Sequence, residues 1–178
     1  MIHDFKPEFF DLPLHEYTLT FDDGLYSQYY YWDDIKTINT DKIFFITTGI
    51  LHFGERYLQE AHFPSAPDAH KSFFKEKVSD NYMTLKEIEE ISDGAEIGGH
   101  GHYHLDLRST SSLLNVRNAI VDDTTTMMNL FKEYFGISPT SFCFPYNYEH
   151  WAYKGLLKSL FGFERFYGGE RIKIEDLM

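Results

Sequence analysis

The chain has 178 residues, of which 43% are hydrophobic and 25% are charged, a balance that fits a folded domain and argues against disorder. Its formal net charge is −12, so nucleic acids and anionic membrane surfaces are not expected as partners. No run of 18 apolar residues occurs, so no membrane span is expected. Cys143 is the single cysteine, and the amino terminus lacks a basic stretch followed by an apolar run; together these features predict a cytoplasmic protein.

Apolar runs and amphipathic segments alternate along the chain. Strands are predicted at Tyr17–Phe21, Lys42–Thr47, Ala95–Ile97, Ser141–Phe144 and Phe163–Tyr167. Helices are predicted at Ser27–Ile38, from Thr84 to the residues before Gly94, at Ser112–Phe135 and at His150–Leu160. The inner face of the longest helix is predicted to carry Leu113, Val116, Ile120, Met127, Phe131 and Tyr134. This alternation predicts an α/β class with a mostly parallel sheet.

The segment 51–82 shows no clear periodicity and mixes Phe, His, Pro and charged residues. A long aperiodic stretch in a compact domain is typically a functional cover or a mobile loop. We therefore expect a single domain over residues 1–178 with an irregular insertion around 51–82.

Two short segments, each following an apolar run, carry side chains that can bind a metal. Thr20-Phe21-Asp22-Asp23-Gly24 offers two carboxylates, and His100-Gly101-His102-Tyr103-His104 offers imidazoles four residues apart. One carboxylate and two imidazoles suit a divalent metal such as zinc, and a second carboxylate could take a proton from the attacking water. The alternatives are a tight Asp-Gly turn after a strand and a histidine cluster with no metal.

The two aspartates and the two outer histidines can divide these roles. Consecutive side chains of an extended segment face opposite ways, so one of Asp22 and Asp23 could hold the metal while the other meets the water. A short turn after the strand would bring His100 and His104 onto one side. His102, between them, is expected to point elsewhere.

These segments resemble motifs of the polysaccharide deacetylase family, also called the NodB homology domain or carbohydrate esterase family 4. Thr20-Phe21-Asp22-Asp23-Gly24 is similar to its first motif, and Glu96 to His104 resembles its second, His-(Ser/Thr)-x-x-His. Phe142-Cys143-Phe144-Pro145-Tyr146 resembles its third, Arg-x-Pro-Tyr, and the likeness covers roughly Tyr17 to Tyr167. The resemblance implies an α/β fold, a distorted (β/α) barrel that the short carboxyl end could leave incomplete.

The resemblance also implies roles for individual residues. Asp22 would be the general base, and Asp23, His100 and His104 would hold a divalent metal, most commonly zinc. The backbone N–H of Tyr146 would help to stabilise the oxyanion. Pro145, Tyr146 and Trp151 are expected to contact the substrate.

The implied reaction is hydrolysis of an N-acyl group, usually acetyl, from an amino sugar. The expected partners are an N-acylated amino sugar, a sugar nucleotide, a lipid-linked sugar or an oligosaccharide intermediate of surface-polysaccharide biosynthesis, and a second copy of the chain could cover the open side of the barrel. A deformylase that acts on a related sugar amide would use the same site residues. The alternative is a catalytically silent carbohydrate-binding or assembly protein that keeps the fold.

The sequence departs from the family pattern at several positions. Gly101 replaces a Ser or Thr, Leu105 replaces a common Pro, and Cys143 stands where many members have an Arg that orients the base. The sequence lacks the late Leu-x-His that usually provides the general acid. Substitutes for that acid are His102, His150 or a residue of the segment 51–82.

Overall fold

The computed structural model describes residues 9, 11–54, 63–109 and 112–168. Five strands form one sheet in the order β1-β2-β3-β4-β5. Their bounds are Leu19–Asp23 for β1, Lys42–Ile46 for β2, Glu96–Gly99 for β3, Ser141–Cys143 for β4 and Arg165–Tyr167 for β5. The pairs β3–β4 and β4–β5 are parallel, with Phe142 opposite Phe166 in the second pair. The predicted α/β class is confirmed.

Six α-helices occur among the described residues: α1 Tyr26–Tyr30, α2 Trp32–Ile35, α3 Ala66–Lys71, α4 Leu85–Ser92, α5 Leu113–Phe135 and α6 Trp151–Phe161. The prediction of one helix over Ser27–Ile38 was wrong, because the chain leaves helical dihedrals at Tyr31 (φ −94°, ψ 11°). A run of four large aromatic residues surrounds this break, and such residues are weaker helix formers than Ala or Leu. Within the described part of the chain, no helix is both long enough and apolar enough to cross a bilayer.

The ends of the longer helices lie where local capping signals predict them. Thr84 opens α4 with a capping box: its backbone N–H donates to Glu87 (2.7 Å), and the Glu87 N–H donates to its hydroxyl (3.3 Å). Ser112 and His150 cap the starts of α5 and α6, and glycines in the left-handed region, Gly136 and Gly162, end them.

The predicted inner face of α5 is largely confirmed. Val116, Ile120, Met127 and Phe131 are fully buried, whereas Leu113, in the first turn, is 60% exposed. The same buried stripe also carries Asp123 and Thr124.

Part of the segment for which the sequence predicts irregular structure is helical. Helix α3 is followed by a π-helical turn, Ser72–Glu76, that ends at Lys77 in the left-handed region. Ser65 caps α3 by accepting the N–H of Asp68. Six helical residues are too few to show a periodicity in sequence, which explains the incorrect prediction. Residues 55–62 of this segment lie outside the described residues.

The chain divides into two compact units. One takes its described residues from Met1–Phe44 and Ile50–Ile97, the other from Phe45–Gly49 and Gly98–Arg171. In the first unit the rings of Phe21 and Phe44 stack at 4.5 Å. In the second, the ring of Phe142 lies 5.3 Å from Tyr153 and 5.4 Å from Phe163. A single domain over residues 1–178 stays a prediction.

Candidate active site

Strand β1 of the first unit ends with the two aspartates of the first motif. The strand extends through Asp23 rather than stopping at Phe21, and Asp22 and Asp23 are only 1% and 3% exposed. Asp23 has a φ of 72°, so the alternation of side chains along an extended strand does not apply to it. The side-chain amide of Gln28 donates to the carbonyl of Asp22 at 2.6 Å. Gly24 then leads into a helix, so the Asp-Gly pair does not form a β-hairpin turn.

A histidine that the sequence did not single out lies beside Asp23. The Nε2 atom of His70, in α3, is 3.2 Å from Oδ2 of Asp23. His70 lies in the aperiodic segment 51–82, where no neighbouring motif marks it as functional. Only the packing of α3 within the first unit brings it to the end of β1.

The second unit holds the two outer histidines of the second motif at the end of β3. His100 and His104 are both buried, and their ring centroids are 5.0 Å apart. The Nδ1 atom of His100 lies 2.8 Å from the carbonyl oxygen of Cys143. Because a carbonyl oxygen only accepts, Nδ1 carries the proton and Nε2 of the neutral ring keeps its lone pair. This is the arrangement in which a histidine binds a metal through Nε2.

No helical turn forms between these histidines. The segment bends at His102 and Tyr103, whose N–H groups donate to Oδ1 of Asp123 at 2.9 and 2.6 Å. His104 adopts a φ of 49°, and Gly101 a φ of 85°. The Asp123 carboxylate therefore takes the N–H groups that a helix would otherwise use.

Asp123 also explains one departure from the family pattern. A Cβ at position 101 would lie 2.7 Å from Oδ2 of Asp123, so a Ser or Thr side chain there would collide with the carboxylate. Burial raises the pKa of Asp123 to about 6, although the two N–H groups act in the opposite direction. The sequence offered a signal for this residue, because it is a carboxylate within the apolar stripe of a helix.

His102, between the two outer histidines, is fixed by contacts with Thr48 and Gly49. Its Nδ1 atom lies 3.0 Å from the hydroxyl of Thr48, and its backbone carbonyl accepts the N–H of Gly49. Burial lowers the pKa of His102, so the ring favours its neutral form.

The third motif is strained at the position expected to support the oxyanion. Tyr146 has a φ of 57° and is 44% exposed, and its ring lies 4.6 Å from that of His104. A left-handed backbone costs an aromatic residue roughly 1–2 kcal/mol, which marks a position whose geometry is fixed by its surroundings. Pro145, immediately before it, is buried.

Two further side chains belong to the surroundings of the third motif: Arg108 contacts the ring of Tyr146, and Trp151 follows Tyr146 in sequence. The guanidinium of Arg108 lies 4.4 Å from the centre of the Tyr146 ring and pairs with Asp106 at 2.6 Å. That pairing lowers the pKa of Asp106 to about 2. Trp151, the first residue of α6, is 72% exposed and stacks on His150 at 5.7 Å. Trp151 could be identified from the sequence, whereas Arg108 could not, because Arg108 belongs to no motif.

The donor atoms in both units fit a divalent metal by their chemistry. Zinc binds carboxylate oxygen and imidazole nitrogen at about 2.0–2.2 Å. The first unit offers the buried carboxylates of Asp22 and Asp23, and the second offers His100 and His104. The hydrogen bond from Nδ1 of His100 to the Cys143 carbonyl, which fixes the tautomer of the ring, is the most specific feature of this set.

Comparison with known proteins gives a fold but no close relative. No family model and no curated protein sequence matches the chain. Among solved structures, a de-N-acetylase from Aggregatibacter actinomycetemcomitans superposes with a TM-score of 0.65 at 18% identity, covering 89% of this chain and 66% of that one. IcaB from Ammonifex degensii superposes with a TM-score of 0.62 at 16% identity, covering 98% of this chain and 78% of that one. The deacetylase domain of BpsB from Bordetella bronchiseptica superposes with a TM-score of 0.59 at 16% identity, covering 82% of this chain and 61% of that one.

The fold is that of the polysaccharide deacetylases. It corresponds to a partial (β/α) barrel of that type, as the resemblance of the motifs implies. This chain spans less than two thirds of the length of the Bordetella and Aggregatibacter chains. At 16–18% identity the likeness establishes the deacetylase fold and not an activity.

Proposed function

We propose that this chain is a metal-dependent hydrolase that removes an N-acyl group, acetyl in the first instance, from an amino sugar. The substrate would be a free, nucleotide-linked, lipid-linked or oligomeric sugar of surface-polysaccharide biosynthesis. The orientation of His100 carries the proposal: its Nδ1 atom is held by the carbonyl of Cys143, so that the lone pair of the neutral ring is on Nε2, in a protein with the deacetylase fold. Two of the solved proteins with that fold are named as a deacetylase domain and a de-N-acetylase.

The proposed metal ligands are Asp23, His100 and His104. Three protein ligands leave an open position, which distinguishes a hydrolytic from a structural zinc site. The bound cation would supply a Lewis acid that polarises the acyl carbonyl oxygen. Burial of all three side chains supports the proposal, because a buried site strengthens charge interactions with the reacting group.

The chain's own residues would carry the proton and hold the developing charge. Asp22 would take the proton of the attacking water, and the backbone N–H of Tyr146 would donate to the oxyanion of the tetrahedral intermediate. A fixed donor of this kind can contribute about 3 kcal/mol to lowering the barrier. Collapse of the intermediate would break the C–N bond as a proton passes to the nitrogen, releasing acetate and leaving the sugar with a free amine. The strained backbone at Tyr146 supports its assignment.

The test is acetate release from N-acetylated amino sugars by protein purified without a histidine tag and loaded with zinc. We expect turnover to disappear on chelation and to return with added metal. Asp22→Asn should lower kcat by roughly 10²–10⁴-fold while leaving the metal content unchanged, because it removes a base and no proposed ligand. Asp33→Asn, at an exposed aspartate of α2, is the matched control and should be fully active. Undiminished turnover in Asp22→Asn would contradict the assignment of the base.

A second candidate function is carbohydrate binding without catalysis. It is favoured by Cys143, which is fully buried where many members of the family have an arginine that orients the base. Calorimetric titration with N-acetylated oligosaccharides would show binding for either function. Measurable amide hydrolysis by the zinc-loaded protein would exclude the silent alternative.

A further inference from the structure

His70 and Asp23 form a close pair in the interior of the first unit. The Nε2 atom of His70 lies 3.2 Å from Oδ2 of Asp23, and the two side chains are only 15% and 5% exposed. A carboxylate is rigid and planar, so a contact at one of its oxygen atoms constrains the orientation of both. A polar contact of this kind is stronger when it is shielded from water.

The position of His70 is fixed by the packing of its helix. Ala66 and Ala69 of α3 belong to a buried cluster with Leu25, Ile50 and Tyr82. The His70 ring itself lies 6.1 Å from the ring of Tyr82 and 5.9 Å from that of Phe74. Helix α3 therefore presents an imidazole to Asp23 from a scaffold of buried residues, and not from an exposed loop.

Asp23 is held from its own side as well. It closes β1 with a φ of 72°, and the next residue, Gly24, accepts the backbone N–H of Met83 at 2.8 Å. The backbone thus sets the position of Cα, while the rotation of the carboxylate about its side-chain bonds depends on what contacts its oxygens. His70 is the imidazole in contact with one of them.

We propose that His70 is a positioning residue: its Nε2 atom, 3.2 Å from Oδ2 of Asp23, orients the carboxylate that binds the metal. This inference rests on the proposed role of Asp23 as a metal ligand. Ligating carboxylates are commonly held by a hydrogen bond from a second protein group, and loss of that group typically lowers metal affinity about 10–100-fold. Direct ligation by His70 is the competing role, but a fourth protein ligand would fill the position that a hydrolytic site keeps open.

The experiment measures zinc affinity by competition with a chromophoric chelator for the full chain and three variants. His70→Ala should bind one zinc ion with roughly 10–100-fold lower affinity. His70→Gln should bind close to the wild-type affinity, because its amide can place an N–H near the position of Nε2. His52→Ala is the matched control and should bind as the wild type, since His52 is another buried histidine of the same unit and contacts Ser79 and Asp80 instead.

The absorption spectrum of the Co²⁺-loaded proteins separates positioning from ligation. A positioning role leaves the ligand set intact, so His70→Ala should keep the wild-type band positions. If that variant does not fold, His70→Leu, which also lacks the N–H but fills more of the space beside Tyr82, replaces it. Wild-type zinc affinity in His70→Ala would overturn the positioning role of His70 and leave the proposed function standing. Changed Co²⁺ bands in His70→Ala together with weak zinc binding by His70→Gln would do the same. Absence of metal binding by the wild-type protein would instead overturn the proposed function on which it rests.

Discussion

Asp123 shows how one buried carboxylate can determine the path of a loop that carries proposed metal ligands. It accepts two consecutive backbone N–H groups, those of His102 and Tyr103, and occupies the space that a side chain at position 101 would need. Tyr153 lies against it, and burial together with the Asp123 charge raises the pKa of the Tyr153 hydroxyl. A carboxylate in such surroundings is costly to ionise. Its presence in an otherwise apolar stripe indicates that Asp123 has a structural role, which is to hold the loop.

The raised pKa of Asp123 leads to a prediction about stability and pH. Burial raises this pKa from 3.8 to about 6, so the folded state favours the protonated acid. The protonated Asp123 side chain therefore adds to the unfolding free energy. This stabilisation is fully present below about pH 4 and is lost as the pH rises through about 6, a change of about 3 kcal/mol. The difference in unfolding free energy between wild type and Asp123→Asn, measured with urea, should therefore fall by about this amount from pH 4 to pH 7.

An exposed residue of the same helix that carries no titratable group offers the control for this measurement. Asn118 is exposed on α5, so Asn118→Ala should differ from the wild type by a nearly constant amount over the same pH range. A pH-independent difference for Asp123→Asn would show that the carboxylate ionises in the folded protein as easily as in the unfolded chain.

At the scale of helices and strands, the sequence predicts what local chemistry determines. The boundaries of α5 and α6 lie within one residue of the prediction because Ser112, His150, Gly136 and Gly162 mark them with side chains and backbone conformations of their own. Helix α3 and the break at Tyr31 were missed, since the first is too short for a periodic signal and the second lies in an otherwise periodic segment.

The same distinction applies to the candidate site. Asp22, Asp23, His100 and His104 could be found from sequence because each pair lies within a few residues after an apolar run. His70 and Arg108 could not, because tertiary packing brings them to Asp23 and Tyr146, and no local pattern records that packing.

The capping box of α4 gives a prediction that tests one of these local signals. Thr84→Ala removes the hydroxyl that accepts the Glu87 N–H and should lower the unfolding free energy by about 1 kcal/mol. Thr84→Ser keeps the hydroxyl and should cost much less. Urea denaturation of both variants measures the difference, and equal destabilisation by Ala and Ser would show that the methyl group of Thr84, and not its hydroxyl, stabilises the helix.

For the whole molecule, the dominant feature is the formal net charge of −12. A field of this sign repels polyphosphate backbones and attracts cations over distances set by the ionic strength. In the proposed reaction the substrate amide is neutral, whereas the product amine is protonated near neutral pH. The protein's charge should therefore favour the product of the reaction over its substrate at long range, independently of contacts in the site.

This charge relation predicts salt-sensitive binding to the deacetylated product. At 0.01 M salt, where charges act over about 30 Å, the protein should bind a glucosamine oligomer more tightly than the N-acetylated oligomer of the same length. At 1 M salt, where that distance falls to about 3 Å, the two affinities should converge because only short-range contacts remain. Fluorescence anisotropy with labelled oligomers measures both, and Asp22→Asn allows the comparison without turnover of the acetylated oligomer. A preference for the amine that persists at 1 M salt would locate the discrimination in direct contacts instead, and equal affinities at 0.01 M would show that the net charge plays no part.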